Sequence, residues 1–163
     1  MFREMRRFKQ LLSIEETVAV LNKGTSGVLA VIGDDGYPYT VPLSYVYCDS
    51  KIYFHSARRG HKIDAINQNS KVSFCVIDKD EVIQEEYTTY FRSVIAFGKA
   101  RIIEDDTEKR AAIEKLAEKY SPDYEEGRLQ EIDREYKQLC MIEVNVEYMT
   151  GKEAIELVRD KQS

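Results

Sequence analysis

The sequence contains no run of about 18 apolar residues, the length that a membrane-spanning helix requires. Residues 1–7 are rich in charge and lead into no long apolar stretch, so we expect no secretory signal peptide. We therefore expect a soluble cytoplasmic protein that does not contact a membrane.

Cysteine is scarce. The three cysteines, Cys48, Cys75 and Cys140, are isolated, odd in number and without the paired spacing of a zinc site. We therefore expect reduced thiols, with neither a disulfide framework nor a bound metal. A GxGxxG motif and a Ser-His-Asp pattern are also missing, which removes the enzyme classes that these motifs identify.

An excess of positive charge is missing as well. The chain has 24 Lys and Arg residues against 29 Asp and Glu residues, with a net charge of −5. Because the basic residues are interleaved with acidic ones, we do not expect a general nucleic-acid-binding face. Any anion site must therefore be local and built from a few residues.

The length and the pattern of elements predict a single domain covering residues 1–163. Apolar residues recur at helical spacing up to Leu12, and Ser13 with Glu16 forms a capping box that starts a second helix. The domain then divides into N-terminal helices over about residues 1–23, a barrel over about 26–149 and a C-terminal helix over about 152–160.

Strand-like segments dominate the middle of the chain. They cover residues 27–32, 37–47, 52–56, 72–77, 87–103 and 139–149. Helical patterns cover residues 60–69, 105–120 and 129–137, and we expect an acidic loop at 78–86. Gly98 indicates a bulge. About six mostly antiparallel strands with helices at the ends predict a small closed or split barrel, because closure removes unpaired edges.

Two prolines interrupt the strictly alternating segment at residues 37–47. Pro38 and Pro42 cannot donate a backbone hydrogen bond, so a strand that contains them needs a broken ladder or an edge position. The third possibility is that a flat ligand approaches the backbone there.

The segment from His55 to Lys62 has the composition of a phosphate site. His55 and Ser56 end a strand, and Gly60 opens a helix that starts with His61 and Lys62. Free N–H groups at a helix start and nearby cations bind phosphate. Considered alone, however, this segment is better explained as a solvated basic turn.

Arg92 and Ser93 place another cation and hydroxyl at the start of a long strand. On their own they are better explained as a surface pair. A single histidine on a strand, such as His55, is more often structural than catalytic.

Taken together, these segments resemble the FMN-binding split-barrel superfamily, the fold of pyridoxamine 5′-phosphate oxidase, and within it the nitroimidazole-resistance branch. The resemblance spans about residues 6–157 and depends on the order and spacing of several motifs. These are GYPYTVPLSY (36–45), IYFHSA (52–57) with GHK (60–62), RSVIAFGKAR (92–101) and TGKE (150–153).

The resemblance implies a mainly β protein with peripheral helices, folded as a split β-barrel that holds FMN in a homodimer. It implies that His55 lies beside the flavin and takes part in catalysis, and that Arg92 and Ser93 reach the flavin, often from the partner subunit. The full set of implied cofactor-binding residues is Thr40, Val41, Pro42, Leu43, Ser44, His55, Ser56, Ala57, His61, Lys62, Arg92 and Ser93.

The implied function is that of an FMN-dependent oxidoreductase. It would transfer electrons from a reduced nicotinamide donor, NADH or NADPH, to a small organic acceptor, with a nitroaromatic such as a 5-nitroimidazole as one candidate. The alternative is a non-catalytic storage or sensor protein that holds FMN or haem, since the superfamily also contains haem- and deazaflavin-binding members. The arginine–histidine signature that grips the B6 substrate is absent after Tyr148, which argues against pyridoxamine phosphate oxidation.

Overall fold

The computed structural model describes all 163 residues, Met1–Ser163. Its seven strands are β1 (Gly27–Ile32), β2 (Pro38–Leu43), β3 (Val46–Cys48), β4 (Lys51–Ala57), β5 (Lys71–Ile83), β6 (Thr88–Ile102) and β7 (Leu139–Glu153). Its five α-helices are α1 (Ile14–Lys23), α2 (His61–Gln68), α3 (Asp106–Tyr120), α4 (Glu125–Glu135) and α5 (Ile155–Gln162). None of these helices is long and apolar enough to cross a membrane.

The start of α1 follows the predicted capping box. The Ser13 hydroxyl accepts a hydrogen bond from the Glu16 N–H at 3.1 Å, and the Glu16 carboxylate accepts one from the Ser13 N–H at 2.9 Å. The helix predicted before Ser13 is wrong, because only a short 3-10 turn forms at Phe8–Gln10. Phe8 is 71% exposed there, so no buried apolar face supports a longer helix.

All seven strands form one antiparallel sheet in the order β2-β1-β5-β6-β7-β4-β3. Its two edge strands, β2 and β3, are consecutive in the chain and are separated only by Ser44 and Tyr45. These two residues bring the two edges close together, so the sheet must curl into a barrel. Because β2 and β3 do not pair with each other, the barrel is split, as predicted.

Several strand boundaries differ from the prediction, and β7 continues to Glu153, where the start of the C-terminal helix was expected. The acidic segment expected to be a loop is mostly strand, because β5 continues to Ile83 and pairs with β6 as far as Thr88. Lys79 and Glu81 form an ion pair on this arm, so its charges do not oppose strand pairing. The single strand expected at 37–47 divides at Ser44 and Tyr45. The predicted bulge is confirmed, since the β6–β7 register shifts at Gly98.

Two apolar clusters lie on opposite sides of β4 and β7. The larger one fills the barrel and includes Leu29, Phe54 and Phe74. The smaller one lies between these strands and the α3–α4 pair, and includes Ile113 and Met141. Alternation along the strands separates the clusters, since neighbouring side chains point to opposite faces.

The outer face of the sheet is apolar and partly exposed. Strand pairing sets side by side on this face Pro42 of β2, Val28 of β1, Cys75 of β5, Ile95 of β6 and Thr150 of β7. Ile95 is 42% exposed, in contrast to its neighbours in sequence, Val94 and Ala96, which point into the barrel. Apolar side chains that stay exposed on a sheet face are typical of a surface that contacts another protein.

Candidate functional site

A cleft of about 720 Å³ lies between the barrel and the α3–α4 pair. This volume is within the usual range for small-molecule sites. The barrel side of the cleft is made by Ser44, His55, Ser56 and Ala57. The other residues that line it are Ile113, Leu116, Ala117, Tyr120, Ser121, Tyr124, Gly127, Arg128, Glu131, Ile132, Glu135, Gln138 and Leu139.

The barrel side of the cleft follows from strand register. On β4, Phe54 is fully buried in the barrel, whereas His55 is exposed and pairs with Met141 of β7. Ser44 lies at the β2–β3 junction and joins His55 at the cleft. The structure therefore brings together four of the residues predicted to bind the cofactor.

The proline-containing strand β2 lies at the edge of the sheet. Its only strand partner is β1, so one side of its backbone is open. Thr40 and Pro42 are exposed, whereas Tyr39, Val41 and Leu43 pack against the barrel core. The edge position explains how prolines fit into this strand, and the open backbone leaves room for a ligand.

The start of α2 offers backbone N–H groups to an anion. Gly60 adopts a positive φ of 137° and has no side chain to cap the helix. Its carbonyl accepts hydrogen bonds from the N–H groups of Ile63 and Asp64. The N–H groups of His61 and Lys62 have no acceptor, which is the usual condition of an anion site at a helix start.

Several cations gather beside this helix start. Burial raises the pKa of the Cys140 thiol, and the charges of Lys109, Lys62 and Arg58 oppose that rise. Lys109 is buried and donates to the Tyr136 carbonyl at 2.7 Å, and burial lowers its pKa. This acidic protein thus has a local cationic region next to the free amides of α2.

The imidazole of His61 faces away from this region. It stacks on Tyr39 with 4.1 Å between ring centroids, and its Nε2 accepts a hydrogen bond from the Asp34 N–H at 3.4 Å. A Cβ at Gly33 would lie 2.7 Å from that Nε2, so the ring packs directly on the β1–β2 turn. At this position the backbone, rather than the side chain, is available to an anion.

Arg92 lies in an ion-pair network far from the cleft. Its guanidinium donates to Asp78 and Glu153 at 3.1 Å each, and both carboxylates are almost fully buried. Arg92 pairs with Glu153 on β7, twelve residues along from Met141, the partner of His55. At roughly 3.3 Å per residue, this separation is up to about 40 Å. Neither Arg92 nor its neighbour Ser93 is among the residues that line the cleft, so within one subunit they do not meet it.

Tyr120 anchors the β2–β3 junction and was not singled out by sequence reasoning as a site residue. Its hydroxyl accepts from the Tyr45 N–H at 2.9 Å and donates to the Thr25 carbonyl at 2.5 Å. The position of Ser44 in the cleft depends on this contact. In the sequence, Ile113, Leu116 and Tyr120 recur at helical spacing, which indicates a shared helix face but cannot show which strand the hydroxyl of Tyr120 would hold.

Sequence and structure comparisons agree on the family. The family model for pyridoxamine 5′-phosphate oxidase matches residues 13–153. The chain belongs to this family. Among curated proteins, none has a sequence that matches this chain.

Solved structures share the split-barrel fold of this oxidase family. One, provisionally named a 5-nitroimidazole antibiotic resistance protein, from Bacteroides thetaiotaomicron, is 23% identical with a TM-score of 0.74, covering 88% of this chain and 86% of that one. A FAD-binding protein from Mesorhizobium loti is 27% identical with a TM-score of 0.62, covering 89% and 97%. A FAD- and haem-binding protein from Mycobacterium smegmatis is 19% identical with a TM-score of 0.74, covering 90% and 73%. The predicted family and fold are confirmed, and flavin binding is common among these neighbours.

Replacing Arg92 with Met should destabilise the protein even without a flavin. Asp78 and Glu153 would each lose a buried partner, which costs about 1–3 kcal/mol at pH 7. Burial raises the pKa of Asp78, but hydrogen bonds from Lys23 and Arg92 outweigh it and hold this pKa below its ordinary value. The stabilisation is therefore present above about pH 4 and lost as the pH falls through the lowered pKa. Urea unfolding at pH 7 and below pH 4 should show the deficit of Arg92→Met shrinking on acidification.

The matched control for Arg92 is Arg134→Met. Arg134 is 70% exposed and pairs with carboxylates on the surface of α4, so its loss should change stability by less than about 0.5 kcal/mol. If Arg92→Met keeps the stability of the parent and loses only flavin affinity, then the ion pairs are not its main role.

Proposed function

We propose that this protein is an FMN-dependent reductase that passes electrons from NADH or NADPH to a small organic acceptor in the cleft. The observation that carries the proposal is the position of Ser44, His55 and Ser56 along one wall of the cleft, in a flavin-binding fold. The free amides of His61 and Lys62, with the cations beside them, supply an anion site near the same strand end.

The residues present fit FMN. The open edge of β2, from Thr40 to Ser44, offers backbone groups to the flavin ring, while Ser56, Ala57 and the start of α2 would hold the ribityl chain and phosphate. We favour FMN over FAD because the free amides lie at a single helix start and the chain has no GxGxxG motif for a pyrophosphate.

When bound, FMN would supply the redox chemistry, taking a hydride from the nicotinamide and passing electrons to the acceptor. The chain's own contribution is to bind, to orient and to move protons. His55 is the imidazole that lines the cleft, so we assign it to proton donation from an imidazole nitrogen to the acceptor. Reduction of a nitro group to a nitroso group, for example, consumes two electrons and two protons and releases water. Pyridoxamine phosphate oxidation is not proposed, because the chain has no histidine after His61.

The purified protein should be yellow and should lose its flavin absorbance when NADH or NADPH is added without oxygen. A nitroaromatic such as a 5-nitroimidazole should then restore the absorbance, because the acceptor removes the electrons. Chromatography of the denatured protein should identify the released cofactor as FMN. Recovery of FAD, deazaflavin or haem, or a flavin that neither nicotinamide reduces, would support the storage or sensor alternative.

The matched variant for this experiment is His55→Gln. It should keep the flavin content and the rate of reduction by the nicotinamide, but slow reoxidation by the acceptor about a hundredfold, the low end of the usual effect of proton transfer. If His55→Gln lowers the thermal stability but leaves the rate of reoxidation unchanged, then the role of His55 is structural.

Lys62→Ala should weaken FMN binding by about ten- to a hundredfold and leave riboflavin binding nearly unchanged. The physical reason is the loss of one charge-assisted hydrogen bond to the phosphate, which riboflavin lacks. Titration of both ligands into flavin-free protein gives the comparison. Arg59→Ala is the control, because Arg59 is an exposed residue of the preceding loop. Equal losses for FMN and riboflavin would assign Lys62 to structure instead.

The outer face of the sheet supports a homodimer. Thr40 and Pro42, on the proposed flavin strand, share this face with Ile95 and Ser93. A second copy on this face would cover the exposed apolar side chains. It would also bring its Ser93 towards the proposed flavin strand, β2, of the first copy.

Ile95→Glu should convert the dimer to a monomer, since a charge would be buried at the centre of the face. Light scattering at low micromolar concentration should report twice the chain mass for the parent and one chain mass for the variant. Ile14→Glu is the control, because Ile14 is 60% exposed on α1, away from this face. A parent protein that binds FMN tightly as a monomer would contradict the dimer.

A further inference from the structure

One wall of the cleft carries a cation without an acidic partner. Glu131 and Glu135 of α4 line the cleft, but both accept hydrogen bonds from Arg134, at 2.6 and 3.1 Å. Arg128 of the same helix forms no ion pair. It donates through Nη1 to the backbone carbonyls of Ser121 and Pro122, at 3.2 and 3.0 Å.

The two bonds of Arg128 leave its Nε and Nη2 N–H groups without a protein acceptor. Backbone carbonyls satisfy hydrogen bonds but do not neutralise the guanidinium charge. Arg134 pairs with both glutamates, so the two acids, Arg134 and Arg128 together carry no net charge, and Arg128 is the member of this group that has no ion-pair partner. A planar guanidinium with free N–H groups suits a carboxylate, which it can hold through two parallel hydrogen bonds.

The surface next to Arg128 is apolar. Ile113, Leu116 and Ala117 of α3 and Ile132 of α4 line the same cleft. Tyr124 also lines the cleft and is 74% exposed, so its ring is accessible. An apolar wall with an aromatic ring and one anchoring charge fits a flat ring that carries an acid group.

We propose that the cleft selects aromatic acids, with the ring against the α3–α4 wall and the carboxylate on Arg128. This inference deepens the proposed function. The role of the aromatic acid as electron acceptor rests on the proposed function, whereas the binding of the acid does not depend on it. The phosphate of the cofactor has its own cations and free amides at the start of α2, so Arg128 on α4 is left for a second ligand.

The test compares 4-nitrobenzoate with 4-nitrobenzamide, which share the ring and the nitro group and differ in the negative charge. Titration calorimetry on the protein as purified should show the acid binding at least tenfold more tightly than the amide. Arg128→Gln should abolish this preference, because glutamine can still donate to Ser121 and Pro122 but has no charge. Arg128→Lys should keep part of the preference, and Arg159→Gln, on α5 and outside the cleft, should leave it unchanged.

Equal affinity of the parent for the acid and the amide would overturn the proposal, and so would a preference that survives Arg128→Gln. If Arg128→Gln does not fold, the test is made on the parent protein alone by titration at increasing salt. The affinity for the acid must then fall as salt rises, while the affinity for the amide stays constant. The experiment involves no nicotinamide and no turnover. A protein that holds no flavin or transfers no electrons would therefore refute the proposed function while the acid preference is still measured.

Discussion

The curvature of the barrel and the position of the cleft both depend on the way Tyr45 is held. Its side chain is fully buried, and its hydroxyl donates to the Leu21 carbonyl of α1 at 2.7 Å. Its ring meets Phe74 edge-on at 5.0 Å in the barrel core, and Lys119 lies 4.1 Å from the ring centroid. With Tyr120 on its backbone, Tyr45 ties α1, α3 and the core to the point where the two sheet edges meet.

Several polar groups make this junction costly to disturb. The Tyr45 hydroxyl, its N–H and the ammonium of Lys119 are removed from water together, and each has a partner. Burial raises the pKa of Tyr45, with a smaller contribution from Tyr120, so the phenol stays protonated and remains a donor. Burial lowers the pKa of Lys119. A network satisfied in this way specifies one arrangement of the strands, because breaking any member leaves another unpaired.

Because side chains alternate along each strand, the sheet contributes residues to three surfaces: the barrel core, the cleft and the outer face. One side of β4 and β7 fills the barrel and the other side faces α3 and α4, so His55 opens into the cleft while Phe54 is buried. On the other side of the barrel, the same alternation leaves Ile95 outside and Val94 inside. Neighbouring residues thus face the barrel core, the cleft and the outer surface without competing.

The sequence predicted what local patterns determine. The capping box at Ser13, the alternation along β2 and the bulge at Gly98 depend on nearby residues and are present in the structure. The prediction missed what distant contacts determine. The break at Tyr45 requires Tyr120, 75 residues further along the chain, and the direction of the His61 ring depends on its packing against Gly33.

The sequence also did not indicate that α4 lines the cleft, because this too depends on contacts that form only in the fold. The helix is so rich in charge that its pattern resembles a solvated surface, and its start was expected later than Glu125. Ile132 packs into the smaller apolar cluster, and Arg128, one turn earlier on the same helix, lines the cleft. Pairing among charges is a property of the folded surface, so the free guanidinium could not be identified from the sequence.

The edge strand β2 also affects whether copies of the protein join to one another. An open sheet edge normally invites a strand from another molecule, which is the first step of aggregation. Neither Pro38 nor Pro42 can donate a hydrogen bond to such a strand, and both lie within the six residues of β2. The two prolines therefore protect the open edge of β2 against joining the edge strand of another copy.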